Sequence, residues 1–377
     1  MIETLPLKKK RILGLDLMRA IAILLVIFHH GFTLFTFPFI PLPDGVDIFF
    51  VLSGFLIGGI LIKSMEKSKG FSLNDLKIFW FRRWFRTLPA FWFTLIVNLI
   101  LYFCINLQPQ SLKETIKLMV LKEKLWQFFF FVQNLFTNLS TRFFSESWSL
   151  SVEEWFYLLL PIILFFALKS RIVPYKAVLL SILIIIVFPT IARYFFSDIH
   201  LKWTWLSTRM VVIMRLDSIG LGVLMAYLKY YKSAIWDKMA KFKLLIVLGI
   251  AIFYGSFYIV HENYYYFNSI TLTNLFFYTF TSFGVMITLP ALSKMTSNNG
   301  IFERAITFVS LISYSMYLIN YSIVIVLIQI FTPANVSEMG KFISFVLYWI
   351  ITIGLSALMY EYIEEPFMAL RDKYFMG

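Results

Sequence analysis

Arg19 and His30 lie eleven residues apart in one apolar run, GLDLMRAIAILLVIFHHGF. Ionisable groups in such a run are costly, so each invites a functional reading. At 100° per residue, eleven steps fall within about 20° of three full turns, and the two side chains share a helix face roughly 16 Å apart along the axis. His29 points about 80° away from that face. An imidazole transfers protons near neutral pH, which makes His30 a candidate general base, with a cation at Arg19 on the same face. The structural alternative is an interfacial Arg anchor at one membrane surface and two hydrogen-bonded histidines at the other.

A second constellation is the cluster Arg82, Arg83 and Arg86, with Arg83 and Arg86 spaced i and i+3 on one side of a helix. Guanidinium groups bind phosphate bidentately, although anchoring beside a membrane would also explain the cluster. Glu153 and Glu154 open an apolar run behind Trp148, Ser149 and Ser151. Ser151 and Glu154 have capping-box spacing, which leaves Glu153 freer to bind an acceptor or to orient His30. Asp47 starts another run, where a helix dipole favours it. Arg215 and Asp217 point about 200° apart and need partners on other helices. Glu364, followed by Pro366, reads as a cap ending the last helix. With four scattered histidines and the single Cys104, no metal site or internal disulfide is expected.

The elements that must position these groups are membrane helices. Hydrophobic residues make up 60% of the 377, charged residues 15%, and mean hydropathy is +0.79, far from a soluble composition. Apolar runs predict about ten transmembrane helices, at 17–37, 46–63, 88–107, 150–168, 176–196, 210–229, 243–261, 273–292, 306–331 and 342–362. The segment 125–136 is too short to span and reads as interfacial or re-entrant. The net charge of +13 lies between the runs, not in a folded basic module, so no nucleic-acid partner is expected. Lys8, Lys9, Lys10 and Arg11, the connection from Lys63 to Arg86, and the connection from Lys229 to Lys243 read as cytoplasmic. The stretches 38–45 and 262–272 have no Lys or Arg and face outward, as alternation requires of 108–149. An even helix count puts both termini in the cytoplasm. The first run lacks a cleavage site behind it, so it stays as a helix. The expectation is one all-α membrane domain over 1–377 with no appended soluble domain.

Around Arg19 and His30, LMRAIAILLVIFHH resembles the signature of the acyltransferase-3 family. The likeness continues through DIFFVLSGFLIGGIL, FWFRRWFRTLPAFW, SWSLSVEEWFYLLLP, RLDSIGLGVLMAY, SYSMYLIN and YIEEPF, in family order across nearly the whole chain. Near SYSMYLIN the chain departs from the pattern, with Asn320 where many relatives carry His.

The resemblance implies an integral membrane O-acyltransferase of the bacterial inner membrane. It would move an acyl group, acetyl first among the choices, from cytoplasmic acyl-CoA to a hydroxyl of an exported glycan such as lipopolysaccharide, peptidoglycan or another surface polysaccharide. It also implies that His30 is catalytic and Arg19 its donor-side companion, and that Arg82, Arg83 and Arg86 hold the phosphates of coenzyme A. His30 would act either as general base or as a covalent acyl carrier, without a metal. Some relatives carry an extracytoplasmic hydrolase-like domain; here transfer is expected to finish within the membrane domain. A second functional class fits the composition too: a secondary transporter or lipid or glycan flippase, with Arg19, His30, Arg215 and Asp217 lining a path.

Overall fold

The structure, a computed structural model, describes residues 11–35, 42–68, 70–106, 125–137, 143–198, 208–262, 271–297, 300–333 and 335–375. Its elements are helices, with no strand among the described residues. They are α1 (Leu13–Gly31), α2 (Gly45–Ser68), α3 (Leu73–Asn106), the single turn α4 (Trp126–Phe129), α5 (Ser147–Lys169), α6 (Pro174–Asp198) and α7 (Leu216–Tyr231). There follow α8 (Ser233–Lys241), α9 (Leu244–Glu262), α10 (Thr271–Leu292), α11 (Ile301–Ile319), α12 (Val326–Phe331), α13 (Glu338–Met359) and α14 (Glu365–Phe375). Wide π turns join α11 to α12 over Asn320–Ile325 and α13 to α14 over Tyr360–Glu364.

Nine helical stretches among the described residues are long and apolar enough to cross a membrane, where ten were expected. The difference is the run at 210–229. Its helix α7 has 16 residues and begins only after the short turn Val212–Met214, at Arg215. About 24 Å of helix is shorter than the hydrocarbon core. Nearly all of its first three turns is buried, so protein and not lipid surrounds it. In contrast, Val247 and Ile250 of α9 and Ile350 of α13 are exposed, as lipid-facing side chains should be.

α2 and α7 cross closely through glycines. A Cβ at Gly54 would lie 1.9 Å from the Ile219 carbonyl oxygen, and one at Gly222 would lie 2.1 Å from that of Val51. Small residues at such crossings let backbones meet without lipid between them. Two buried ion pairs lock α7 to its neighbours, and they are the partners that Arg215 and Asp217 were expected to need. Arg215 pairs with Asp47 of α2 and lies 3.8 Å over the Tyr278 ring. Asp217 takes Arg193 of α6 at 2.9 Å and the Thr279 hydroxyl of α10.

The segment around 125–136 does not span. Phe128, Phe131, Gln133 and Asn134 are buried against the bundle, whereas Trp126, Phe129, Phe130 and Phe136 are exposed. Gln133 donates to the hydroxyls of Ser147 (3.2 Å) and Ser151 (2.7 Å), and Asn134 donates to the carbonyls of Trp148 and Met210.

Three sequence readings of local structure are corrected. α3 begins fifteen residues before the expected 88, because Ser72 and Asp75 cap it reciprocally, and the arginine cluster is therefore helical. α5 begins at Ser147, so Ser151 and Glu154 form no capping box: Ser151 bonds back to the Ser147 carbonyl and Glu154 accepts from Thr87. Pro366 does not end the last helix. The preceding π turn lets the chain continue through α14, and Glu364 is a buried side chain accepting from Ser315.

Candidate active site

Two cavities lie at opposite ends of the Arg19–His30 face. The larger, about 1230 Å³, is lined by Arg19, the cluster Arg82, Arg83 and Arg86, and basic groups from distant parts of the chain, including Arg11, Lys63, Lys67 and Arg371. The smaller, about 300 Å³, contains His29, His30, Asp44, Glu146 and Arg209. Val46 and Tyr317 line both, so the two cavities share a wall.

At the small cavity, His30 occupies the last turn of α1 and is half-buried, whereas His29 is exposed. His30 Nδ1 lies 2.5 Å from Asn320 Oδ1. The Asn320 amide nitrogen already donates to the carbonyls of Met316 (2.9 Å) and Tyr317 (2.7 Å), which fixes its oxygen as the end facing the imidazole. The hydrogen-bond network thus assigns the proton to Nδ1 and leaves Nε2 as the basic nitrogen. The Tyr321 ring packs on the imidazole, with centroids 4.8 Å apart.

Asn320 can play this part because the helix ladder opens there. Its side chain satisfies two carbonyls, while the main-chain N–H groups of Tyr321 and Ser322 donate to Glu146 Oε1 at 3.0 and 2.7 Å. Every polar group freed at a π turn needs such a substitute in a dry bundle. Glu146 stands immediately before α5, buried, and desolvation raises its carboxyl to about 7 against the opposing pull of those N–H groups. Asp44 and Arg209 form a closed pair at 2.5 Å. Burial opposes charge on Asp44, but Arg209 outweighs it and holds the carboxyl below its ordinary range.

At the large cavity, Asp16 accepts from Nε and one Nη of Arg11 at 2.8 and 2.6 Å, and Arg19 approaches only to 3.5 Å. Arg19 also lines the cavity. Arg83 stacks 4.1 Å from the centre of the Tyr157 ring, donates to the Tyr157 hydroxyl and lies 3.9 Å from Glu153. Arg82 and Arg86 are exposed, and neither has a carboxylate within ion-pair distance among the described residues. Glu153, expected beside the acceptor or His30, lies instead in this large cavity and accepts from Tyr157 at 2.7 Å. The side chain bonded to His30 is Asn320.

Tyr317 closes the shared wall. Its hydroxyl donates to the Glu146 carbonyl at 3.0 Å and meets Ser149 Oγ at 2.6 Å. Sequence reasoning missed Glu146 and Tyr317 and gave Asn320 no part. The one available signal was the amide at Asn320, where the family resemblance implies an imidazole.

The chain matches the family described as "Acyltransferase domain" over residues 12–361. It is 35% identical over 182 residues to the peptidoglycan O-acetyltransferase OatA of Listeria monocytogenes, covering 45% of this chain and 26% of that protein. It is 26% identical over 378 residues to the O-acetyltransferase OatA of Staphylococcus aureus, covering 94% of this chain and 56% of that one. The chain thus spans less than two thirds of the length of either relative. No solved structure matches it. With its helical bundle and a family match over nearly the whole chain, this protein belongs to the acyltransferase-3 family of multi-pass membrane proteins.

Proposed function

We propose that the protein is an O-acetyltransferase of the bacterial inner membrane, taking acetyl groups from cytoplasmic acetyl-CoA and delivering them to a glycan hydroxyl on the far side. The observation that carries this reading is the meeting of a large basic cavity with a small histidine cavity at Tyr317 and Val46. The large cavity has room for a nucleotide-sized thioester. Arg86 and Arg82 supply uncommitted cations for its phosphates, Arg19 is held only by a long 3.5 Å contact to Asp16, and Arg83 is tied to Tyr157 and Glu153. Both termini and the basic connections would then be cytoplasmic. The name of the Listeria relative favours peptidoglycan over lipopolysaccharide as the acceptor.

In the reaction, His30 Nε2 takes the proton of the acceptor hydroxyl as its oxygen attacks the thioester carbonyl. The carbon–sulfur bond breaks, an ester forms, and the proton passes from the imidazole to the departing thiolate. No charge is left behind. Asn320 would hold the imidazole in the required tautomer throughout.

Purified protein in lipid nanodiscs, given radiolabelled acetyl-CoA and chitotetraose, tests this reading. Wild type and His29→Ala should label the sugar, and His30→Ala should lose transfer by a factor of about 10²–10⁴, as for loss of a general base. Wild-type turnover by His30→Ala would overturn the role of His30.

A further inference from the structure

We infer that Glu153 binds the thiol arm of the donor: its Oε1 accepts the amide N–H nearest the sulfur and so sets the thioester against the wall between the cavities. This role rests on the acyl-CoA reading of the large cavity.

Of the acids lining that cavity, Asp16 is engaged by Arg11 and Ser310, Asp75 caps α3 through Ser72, and Glu364 is buried against Ser315. Glu153 keeps one oxygen toward the cavity. Tyr157 donates to its Oε2 at 2.7 Å, and Arg83 lies 3.9 Å from the same atom. The single phenolic proton is spent there, so Ser53 of α2 and Arg83 of α3 are the donors to the Tyr157 oxygen. Tyr157 is thereby pinned, and it pins the carboxylate in turn. Oε1 has no hydrogen-bond partner among the described residues, and it is not one of the buried unpartnered atoms. The side chain is 16% exposed and lines the cavity, which presents this oxygen, already held in place, to whatever enters.

The position of Glu153 along α5 decides which part of a donor it meets. Ser149, one turn earlier, bonds the Tyr317 hydroxyl of the wall at 2.6 Å, while Arg83 of the arginine cluster adjoins Glu153 itself. Glu153 thus stands between the arginines and the wall, about 6 Å along the helix from Ser149. A coenzyme held by its phosphates at Arg82 and Arg86 must run its arm past it. A carboxylate repels phosphate, and a cationic ligand is opposed by Arg19, Arg83 and Arg86 in the same cavity. A neutral donor fits. The arm brings amide N–H groups, one of them only two methylenes from the sulfur, and an N–H taken out of water needs an acceptor. Held one helical turn from the wall, that N–H places the thioester beside Tyr317.

The test compares coenzyme A with the analogue in which an ester oxygen replaces this N–H, each titrated calorimetrically into the full chain in nanodiscs. Wild type should bind coenzyme A tenfold or more better, since the analogue loses a charge-assisted bond and brings an oxygen against the carboxylate. Glu153→Ala should bind the two alike. Glu153→Asp keeps the charge beside Arg83 but draws the oxygen back by one methylene, and should lose most of the preference too. The ratio of affinities is the readout, because a shift of Arg83 or of packing alters both ligands together. Adenosine bisphosphate, the nucleotide end without the arm, should bind wild type and both variants. If Glu153→Ala fails to fold and does not bind it, Glu153→Asp decides alone. Absence of the preference in wild type, or its full retention in a variant that binds the bisphosphate, would overturn the role of Glu153 and leave the donor reading standing. Wild type that binds neither coenzyme A nor the bisphosphate would instead sink the donor reading, and the arm contact with it.

Discussion

The imidazole of His30 is fixed from one side by a single amide, and that amide is itself fixed by the two carbonyls it caps. Replacing Asn320 by Ala removes the acceptor that keeps the proton on Nδ1. The loss is one buried hydrogen bond to a working base, about 1–3 kcal/mol or roughly five- to 150-fold in kcat. KM for acetyl-CoA should hardly move, because the donor occupies the other cavity; steady-state titration of both substrates checks this, and an effect confined to donor KM would contradict it. The arginines should behave in the opposite way. Arg86→Ala removes an uncommitted phosphate partner and should raise donor KM by about tenfold or more, from roughly 1.5–3 kcal/mol of charge-assisted bonding, with acceptor KM unchanged. Arg83→Ala should also lower kcat, since it frees Glu153 and Tyr157. The Arg19–His30 pair was legible because both residues sit on one helix, where periodicity alone fixes their relation. Asn320 reaches His30 across 290 residues and Glu146 reaches Tyr321 across 175, and no local pattern encodes such contacts. Glu153 was misplaced for a local reason. With α5 starting at Ser147, it lies about 9 Å inside the helix and not at its mouth.

Helix α7 shows what hydropathy does and does not report. Its apolar run was visible in the sequence, but the break at Arg215 and the short helical length follow from its place at the centre of the bundle. There α2, α6 and α10 supply Asp47, Arg193 and Thr279 as partners. The need for partners was readable from the 200° between Arg215 and Asp217; their identity was not, since it depends on which helices pack together. The Arg215–Asp47 pair is wholly buried, with side-chain exposures of 0% and 3%. Asp47→Ala should therefore destabilise the protein by about 3–5 kcal/mol, because it leaves a guanidinium charge unpaired in a dry interior. The double variant Asp47→Leu with Arg215→Met removes both charges and should recover much of that loss. Thermal unfolding in one detergent compares them, and a double variant as unstable as the single would mean the pair is favourable in itself and not merely costly to break.

At the scale of the whole molecule, the signal that orders the chain is the placement of basic residues. Arg11, Lys63, Lys67, Arg82, Arg86 and Arg371 come from the first residues described, the end of α2, the start of α3 and the last helix, yet all line one cavity. That gathering was largely legible, because the positive-inside bias is written into the connections themselves. The smaller cavity was not legible, since it is assembled from α1, α2, α5, α9, α10 and α11 with groups supplied one at a time. About 16 Å of α1 separates Arg19 from His30, and the two cavities meet only at the Val46–Tyr317 wall. A coenzyme held by its phosphates at the arginines would therefore keep its nucleotide on the basic side and extend its thiol arm toward the wall. The acetyl group could then reach His30 without release of a free carrier. Vesicles with the protein in one orientation test this directly. Acetyl-CoA supplied only on the basic side should acetylate chitotetraose present only on the histidine side, and free coenzyme A should accumulate where the donor was added. Substitution of Tyr317 by Phe loosens the wall by removing its bond to the Glu146 carbonyl and should change this cross-membrane rate more than it changes donor binding. If acetylation instead requires donor and sugar on the same side, transfer through the wall fails, even with His30 as the base.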